Sequence, residues 1–142
     1  MNNTFGIKAL ALLLMVVPTL TSCDKCKKDD EPTLKDEMVG EWKIKSMTFD
    51  GSEAMGFVVT SSKMEFEEYS GTNGDFEWGI FYVDGSSENQ EGDYEVDEED
   101  KELELENNEG ERIKFDIDVD GDDLELSGIV DGERVVIKAE RD

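Results

Sequence analysis

The sequence has no histidine and only two cysteines among its 142 residues. Without histidine, Ser-His-Asp and Cys-His catalytic arrangements and HExxH zinc sites are excluded. Basic residues are also scarce, since 14 lysines and arginines stand against 38 aspartates and glutamates, and the formal net charge is −24 at pH 7. Because a chain of this charge repels phosphate, we expect no nucleic-acid partner.

Catalytic motifs are missing as well. There is no Gly-x-Ser-x-Gly, no Asp-Thr-Gly and no phosphate-binding loop. Because the chain has 38 acidic residues, many pairs of carboxylates are close in the sequence by chance, and such a pair is not evidence of acid–base catalysis. The sequence therefore predicts a protein of one folded domain that is not an enzyme and has no cofactor.

Residues 1–22 have the features of a secretory signal peptide. Lys8 precedes an apolar run at residues 9–20, which is shorter than the roughly 20 residues that a membrane-spanning helix needs. The run ends in Leu-Thr-Ser-Cys, which resembles the lipobox of bacterial lipoproteins. This resemblance implies that Cys23 becomes the acylated N-terminus, with palmitate among its acyl chains, and anchors the protein in the cell envelope. An ordinary signal peptide with an incidental Cys23 is the alternative.

Residues 23–33 are charged and include a proline, which predicts a lipidated cysteine followed by a flexible tether. Lys27-Lys28-Asp29-Asp30-Glu31 resembles a signal that sends some Gram-negative lipoproteins to the cell surface. It implies an outer-membrane, surface-exposed protein. Asp24 favours inner-membrane retention in other Gram-negative bacteria, so the leaflet stays open. Cys26 is the only other thiol, so the domain can hold no internal disulfide, and pairing between chains stays open.

Alternation of apolar and polar residues dominates residues 34–142. It is clearest at residues 112–120, where Ile113 to Val119 place apolar side chains on one face and charged ones on the other. Further strands are predicted at 42–49, 64–69, 76–83, 94–96, 103–105, 124–130 and 135–139, with 57–60 as a doubtful one. Asp-Gly and Asn-rich turns separate them, and only Leu34 to Val39 predicts a helical turn.

This pattern predicts an all-β fold, a small antiparallel up-and-down barrel of about eight strands. Closure into a barrel removes exposed strand edges. A two-sheet sandwich or an open meander is the alternative. At residues 76–83, Phe81 and Val83 are apolar on the second face as well, so we expect the N-terminal turn or a partner to pack outside this strand.

Gly40-Glu41-Trp42 opens the first strand and resembles the Gly-x-Trp motif of the lipocalin superfamily, in particular the small lipocalin-like domains of bacterial lipoproteins. The resemblance covers residues 34–142. It implies that Trp42 closes one end of the barrel and that an arginine packs across its ring, with Arg134 and Arg141 as candidates. The chain is shorter than a classical lipocalin and lacks the helix after the last strands, so a large ligand cavity does not follow.

Two functions are compatible with such a barrel. In the first, a lipid-anchored envelope lipoprotein binds a small apolar ligand, and the candidate lining residues are Phe57, Met64, Phe66, Phe76, Trp78, Ile80 and Tyr82. In the second, these side chains are ordinary core, and the protein is a non-catalytic structural or interaction lipoprotein. Its acidic surface would then meet a basic protein partner through salt-sensitive contacts.

Asp116, Asp118 and Asp120, followed by Gly121, have the spacing of the first ligands in a calcium-binding EF-hand loop. The position that should hold a bidentate glutamate is Ser127. The alternation also places the aspartates along the exposed face of a strand. The sequence therefore predicts no metal site, with calcium at these aspartates as the alternative.

Overall fold

The computed structural model describes residues 31–142. The predicted signal peptide at 1–22, Cys23, Cys26 and most of the predicted tether lie outside these residues. No helix within the described range is long and apolar enough to cross a membrane.

One short helix and nine strands follow one another along the chain. They are α1 (Leu34–Met38), β1 (Gly40–Phe49), β2 (Ser52–Glu53), β3 (Val59–Phe66), β4 (Gly74–Tyr82), β5 (Ser87–Asp97), β6 (Glu102–Asn107), β7 (Arg112–Asp120), β8 (Asp123–Val130) and β9 (Glu133–Arg141). The doubtful strand at 57–60 and the predicted strand at 64–69 each overlap the single strand β3, but residues 57–58 and 67–69 lie outside it. Strand β2 was not predicted from the pattern.

The strands form a closed antiparallel meander. Their order is β2-β1-β3-β4-β5-β6-β7-β8-β9, and β1 also pairs with β9. Eight strands therefore close on themselves, while β2 is a short addition to the end of β1. The predicted all-β up-and-down barrel of about eight strands is confirmed, and the sandwich and open-meander alternatives are wrong.

The helix α1 covers one end of the barrel, which we call the α1 end. Its first turn is closed by a capping box, in which Thr33 and Asp36 exchange side-chain-to-backbone hydrogen bonds. The carboxylate of Glu98, in the turn after β5, accepts hydrogen bonds from the backbone N–H groups of Leu34 (2.9 Å) and Lys35 (2.8 Å). The opposite end, where the turns after β1, β4, β6 and β8 lie, is called the far end.

Alternate residues of each long strand point into the barrel and form one apolar core. Seven of the largest side chains in it are less than 2% exposed: Trp42, Tyr94, Phe66, Phe115, Met38, Met47 and Met64. The outward positions are mostly charged, as the alternation of charged and apolar residues in β7 predicts. The core thus lies inside the closed sheet, and the acidic residues coat its outer surface.

Candidate functional site

Trp42 closes the α1 end of the barrel. Its side chain is fully buried, and its Nε1–H donates a hydrogen bond to the carbonyl oxygen of Met38 at 2.8 Å. The guanidinium of Arg141 lies 4.3 Å from the centroid of the Trp42 ring. Its Nη1 and Nη2 donate to the carbonyl oxygens of Val39 (2.8 Å) and Glu37 (2.7 Å). These contacts tie the last strand to the end of α1 and to Val39 before β1.

Gly40 makes room for this guanidinium. A Cβ at Gly40 would lie 2.8 Å from Nη1 of Arg141. The backbone angle φ of Gly40 is +128°, which residues with a side chain rarely adopt. Arg134, the other arginine candidate, lies at the far end, where its backbone N–H donates to a carboxylate oxygen of Asp50 at 2.8 Å. The structure therefore brings Gly40, Trp42 and Arg141 together and leaves Arg134 out.

The candidate ligand-lining residues do not all share one space. Met64, Phe66, Phe76, Trp78 and Ile80 are buried inside the barrel. Tyr82 is half-buried at the far end, where its hydroxyl donates to a carboxylate oxygen of Glu88 at 3.0 Å. Phe57 lies outside the barrel and is 75% exposed, so it does not line the interior.

The interior polar groups are already satisfied by the protein itself. Nε1–H of Trp78 donates to the hydroxyl of Ser62 at 2.9 Å, and that hydroxyl donates to the carbonyl oxygen of Gly79 at 2.9 Å. In the part of the chain that the structure describes, no buried side-chain nitrogen or oxygen lacks a partner. The buried side chains of the described residues therefore leave no unpartnered polar atom to orient a ligand.

Aromatic packing fills the α1 half of the interior. The rings of Phe66 and Tyr69 meet Tyr94 edge to face, with centroids 5.0 and 5.2 Å away. The Tyr94 hydroxyl donates to the carbonyl oxygen of Glu67 at 2.6 Å, and burial raises its pKa well above the usual range for tyrosine. A Cβ at Gly74 would overlap the Tyr94 ring. Even one added carbon has no space here.

Surface grooves lie on the outer side of the barrel instead. A groove of about 360 Å³ runs between the outward side chains of β3, β4 and β5, and a second of about 250 Å³ continues it toward the far end. The two share Glu65 and Glu77 as lining residues. Together they form one continuous depression along the outer face of β4, which we call the β4 groove.

Six carboxylates surround one half of the β4 groove, and we call them the acidic face: Glu65, Glu67, Asp75, Glu77, Glu91 and Asp93. The strand register sets Glu65, Glu77 and Glu91 directly opposite one another across three neighbouring strands. Within residues 31–142, none of the six forms an ion pair. Lys63, the cation at their border, is held at 2.7 Å by Glu41.

Four exposed apolar residues lie at the far end beside the same groove, and we call them the apolar patch: Phe57, Val58, Phe81 and Val83. A backbone hydrogen bond of 3.0 Å from Val83 to Val58 holds the β2–β3 loop against the end of β4. We expected the N-terminal turn or a partner outside Phe81 and Val83. The turn does not cover them, because α1 lies at the opposite end of the barrel.

The three aspartates with calcium-like spacing lie along the exposed face of β7. Asp118 stands opposite Glu125, and Asp120 stands opposite Asp123. Alternate residues of a strand are about 7 Å apart, so these carboxylates form a row and do not wrap around an ion. Within residues 31–142, no group of three or more histidine, cysteine or acidic residues could hold a metal.

Sequence reasoning did not find the acidic face. It depends on the register of β3, β4 and β5, which brings together residues that are far apart in the sequence. The double-sided apolar pattern of Phe81 and Val83 was the one signal that pointed to this side of the barrel.

Comparison with known proteins supports the fold. No protein-family model and no curated protein matches this sequence. Among solved structures, a redesigned β-barrel matches with a TM-score of 0.59 at 16% identity, over 76% of this chain and 94% of that one. A de novo fluorescence-activating barrel matches with a TM-score of 0.57 at 17% identity, over 76% and 96% of the two chains. The redesigned barrel mFAP1, bound to DFHBI, matches with a TM-score of 0.55 at 18% identity, over 75% of this chain and 97% of that one. The barrel that the lipocalin resemblance implies is therefore present, without evidence of a shared family.

Proposed function

We propose that this protein is a non-catalytic lipoprotein of the bacterial cell envelope whose barrel is a filled scaffold and whose acidic exterior binds a basic protein partner. The observation that carries this proposal is the packed interior, in which Trp78 donates to Ser62, Ser62 donates to the carbonyl of Gly79, and Tyr94 leaves no room for a Cβ at Gly74. The surface grooves lie outside this core. A filled barrel leaves the outer surface as the place where recognition occurs.

The attachment to the membrane rests on the sequence. The lipobox-like Leu-Thr-Ser-Cys and the lysine-then-acidic segment after it support a lipid anchor at Cys23 and an outer-membrane, surface-exposed location. Metabolic labelling of cells with palmitate tests the anchor. Label is expected in the wild type and in Cys26→Ser, the matched control, and is expected to be lost in Cys23→Ser. Label retained in Cys23→Ser would rule out acylation at this residue.

A small apolar ligand at the far end is the second candidate. Half-buried apolar side chains stand around that end of the core: Phe49, Tyr82, Ile113 and Val130. The redesigned barrel mFAP1, which is similar to 75% of this chain, is bound to DFHBI. A ligand at the far end would rest on these side chains and leave the packed α1 half undisturbed.

Native mass spectrometry separates the two candidates. The full-length protein is incubated with a lipid extract of its source and re-isolated at low and at high salt. The filled barrel predicts the mass of the lipidated protein alone under both conditions. An additional stoichiometric mass of a few hundred daltons that survives high salt would overturn the proposal in favour of a bound small ligand.

A further inference from the structure

We propose that the β4 groove is the docking site, and that its occupant is a segment of a partner protein rich in lysine and arginine with an apolar side chain at one end. This inference rests on the proposed function and names the surface that performs it.

A glycine, which has no side chain, forms part of the floor of the groove. Gly79 occupies an outward position of β4 between Lys63 and Asn89 of the neighbouring strands. An ideal Cβ there would lie 3.9 Å from the ring of Phe81, whose side chain is 55% exposed and forms the wall. An apolar side chain of a partner can therefore lie on Gly79 against this ring.

The length of the groove suits a short segment. From Asp75 to Phe81 there are six residue steps, about 20 Å at the rise of a strand. An extended segment of about six residues, or a helix of about thirteen, covers this distance. Its cationic residues would face the acidic face, and its apolar residue would reach the apolar patch.

The distribution of ion pairs favours a cationic occupant. On β6 and β7 the chain neutralises its own carboxylates, since Arg112 binds Glu106 at 2.6 Å and Lys114 binds Glu102 at 2.6 Å. Within residues 31–142, the acidic face has no cation of this kind except Lys63 at its border, which Glu41 binds. Like charges directly opposite one another across a sheet are destabilising. The Asn89 amide, which donates to Glu77 and Glu91, supplies hydrogen bonds but no charge. A basic segment would supply the missing charge.

Other occupants fit this surface less well. An anionic lipid surface attracts basic segments, and six carboxylates beside the apolar patch would be repelled by it. A metal ion lacks a suitable cluster of ligands among residues 31–142. The combination of apolar patch and uncompensated carboxylates is complementary to a protein segment that is both basic and apolar.

Peptide binding to the full-length lipidated protein in neutral detergent tests the site. The probe is a fluorescent twelve-residue peptide that is rich in lysine and carries leucine at one end, measured by anisotropy at low and high salt. Phe81→Ser is expected to weaken binding by at least about fivefold, as for the loss of a central contact. Its matched control, Ile129→Ser, removes another exposed apolar side chain on β8 and is expected to change affinity less than twofold.

A second pair of variants tests the charges. Glu77→Gln is expected to weaken binding about threefold and to reduce its salt dependence, whereas Asp118→Asn, an exposed carboxylate on β7, leaves both unchanged. A melting temperature at or above that of the wild type shows that each variant is folded. A stronger affinity on replacing Lys27 and Lys28 by glutamine would identify the chain's own tether as the occupant and overturn the partner assignment.

The outcomes separate this inference from the proposed function. If the peptide binds but Phe81→Ser and Glu77→Gln behave like their controls, the β4 groove is wrong and binding to the exterior stands. If wild type binds no cationic peptide at low salt, the acidic exterior is not a binding surface and both proposals fail. An added lipid mass with intact peptide binding would contradict the filled barrel alone.

Discussion

Arg141 donates hydrogen bonds from both terminal nitrogens of its guanidinium to carbonyl oxygens at the end of α1 and just before β1, while its Cζ lies 4.3 Å from the centroid of the Trp42 ring. The two acceptors, in Val39 and Glu37, belong to backbone that cannot move away without opening the α1 end. Charged donors to carbonyls and a cation over an aromatic ring are each stabilising. This residue therefore couples the last strand of the barrel to its first helix.

We expect Arg141→Ala to lower the free energy of unfolding by about 2–3 kcal/mol, the sum of two hydrogen bonds and the ring contact. Arg141→Lys keeps the charge but loses the planar fork, so a loss of about 1–2 kcal/mol is expected. Urea unfolding followed by tryptophan fluorescence measures both. Arg134→Ala is the control, since only its backbone contacts Asp50, and an equal loss there would refute the role given to Arg141.

Two glycines separate backbone strain from steric overlap. Gly40 and Gly51 both have positive φ, but only at Gly40 does a Cβ meet another residue, Arg141. Gly51→Ala is expected to cost about 1 kcal/mol for strain alone, and Gly40→Ala about 2–3 kcal/mol because the guanidinium must also shift. Thermal unfolding of the two variants measures the difference. Equal losses would mean that the close approach at Gly40 is not important for stability.

At the scale of the element, β2 shows how a side chain can define a strand. It is two residues long and pairs with the end of β1. The carboxylate of Glu53 accepts hydrogen bonds from the hydroxyl of Ser46 and from the backbone N–H groups of Met47 and Met55, both at 2.9 Å. Partial desolvation raises the pKa of Glu53, but the hydrogen bonds outweigh it, and the pKa lies below its usual value.

The lowered pKa of Glu53 gives its contribution a definite pH dependence. A carboxylate with a folded-state pKa below its unfolded value stabilises the fold above about pH 4.3, and the contribution is lost as pH falls through the folded pKa. We expect Glu53→Gln to cost about 1 kcal/mol at pH 7, a figure reduced for solvent exposure, and progressively less as the pH falls below about 4.3. Chemical unfolding at several pH values measures this.

Glu133→Gln is the control for that pH series. Glu133 is exposed, and within residues 31–142 its carboxylate forms no ion pair. Its replacement breaks no ion pair within residues 31–142, so no loss of stability is expected at pH 7. A pH-independent cost for Glu53→Gln would show that its shape, not its charge, holds β2.

The elements differ in how far the sequence predicts them. In β7 the alternation is strict, and the strand was predicted with its observed bounds. In β5 only Tyr94–Val96 was predicted, because residues 87–93 are polar on both faces and pair with β4 through the backbone. At the candidate sites, the Gly40-Trp42 motif is local and could be read directly. The acidic face depends on three-strand register and could not.

At the scale of the whole molecule, the sequence has a formal charge of −24, and the acidic side chains of residues 31–142 lie mostly on the outside of a barrel with an apolar core. The exposed ion pairs, such as Lys45 with Glu140 at 2.7 Å, contribute little individually because both partners are in water. Repulsion among many uncompensated carboxylates acts over longer distances and opposes the compact state. The net electrostatic effect of the surface is therefore expected to be destabilising.

Salt should therefore stabilise this protein. Raising sodium chloride from about 0.01 M to 1 M shortens the screening length from about 30 Å to about 3 Å, which removes most of the repulsion and little of the apolar burial. We expect the melting temperature to rise by about 5 °C or more, as for a gain of roughly 1 kcal/mol in a domain of this size. Chloride is the salt of choice, because sulfate would strengthen burial as well.

Two variants locate the source of that repulsion. Glu77→Gln removes a carboxylate flanked by Glu65 and Glu91, so it is expected to raise the melting temperature at low salt and to reduce the gain on adding salt. Glu104→Gln removes a carboxylate that Arg112 and Lys114 already neutralise, at 3.2 and 3.3 Å, and is expected to give no such rise. If both variants behaved alike, the repulsion would belong to the total charge and not to the acidic face, and the electrostatic argument for a basic occupant would lose its local basis.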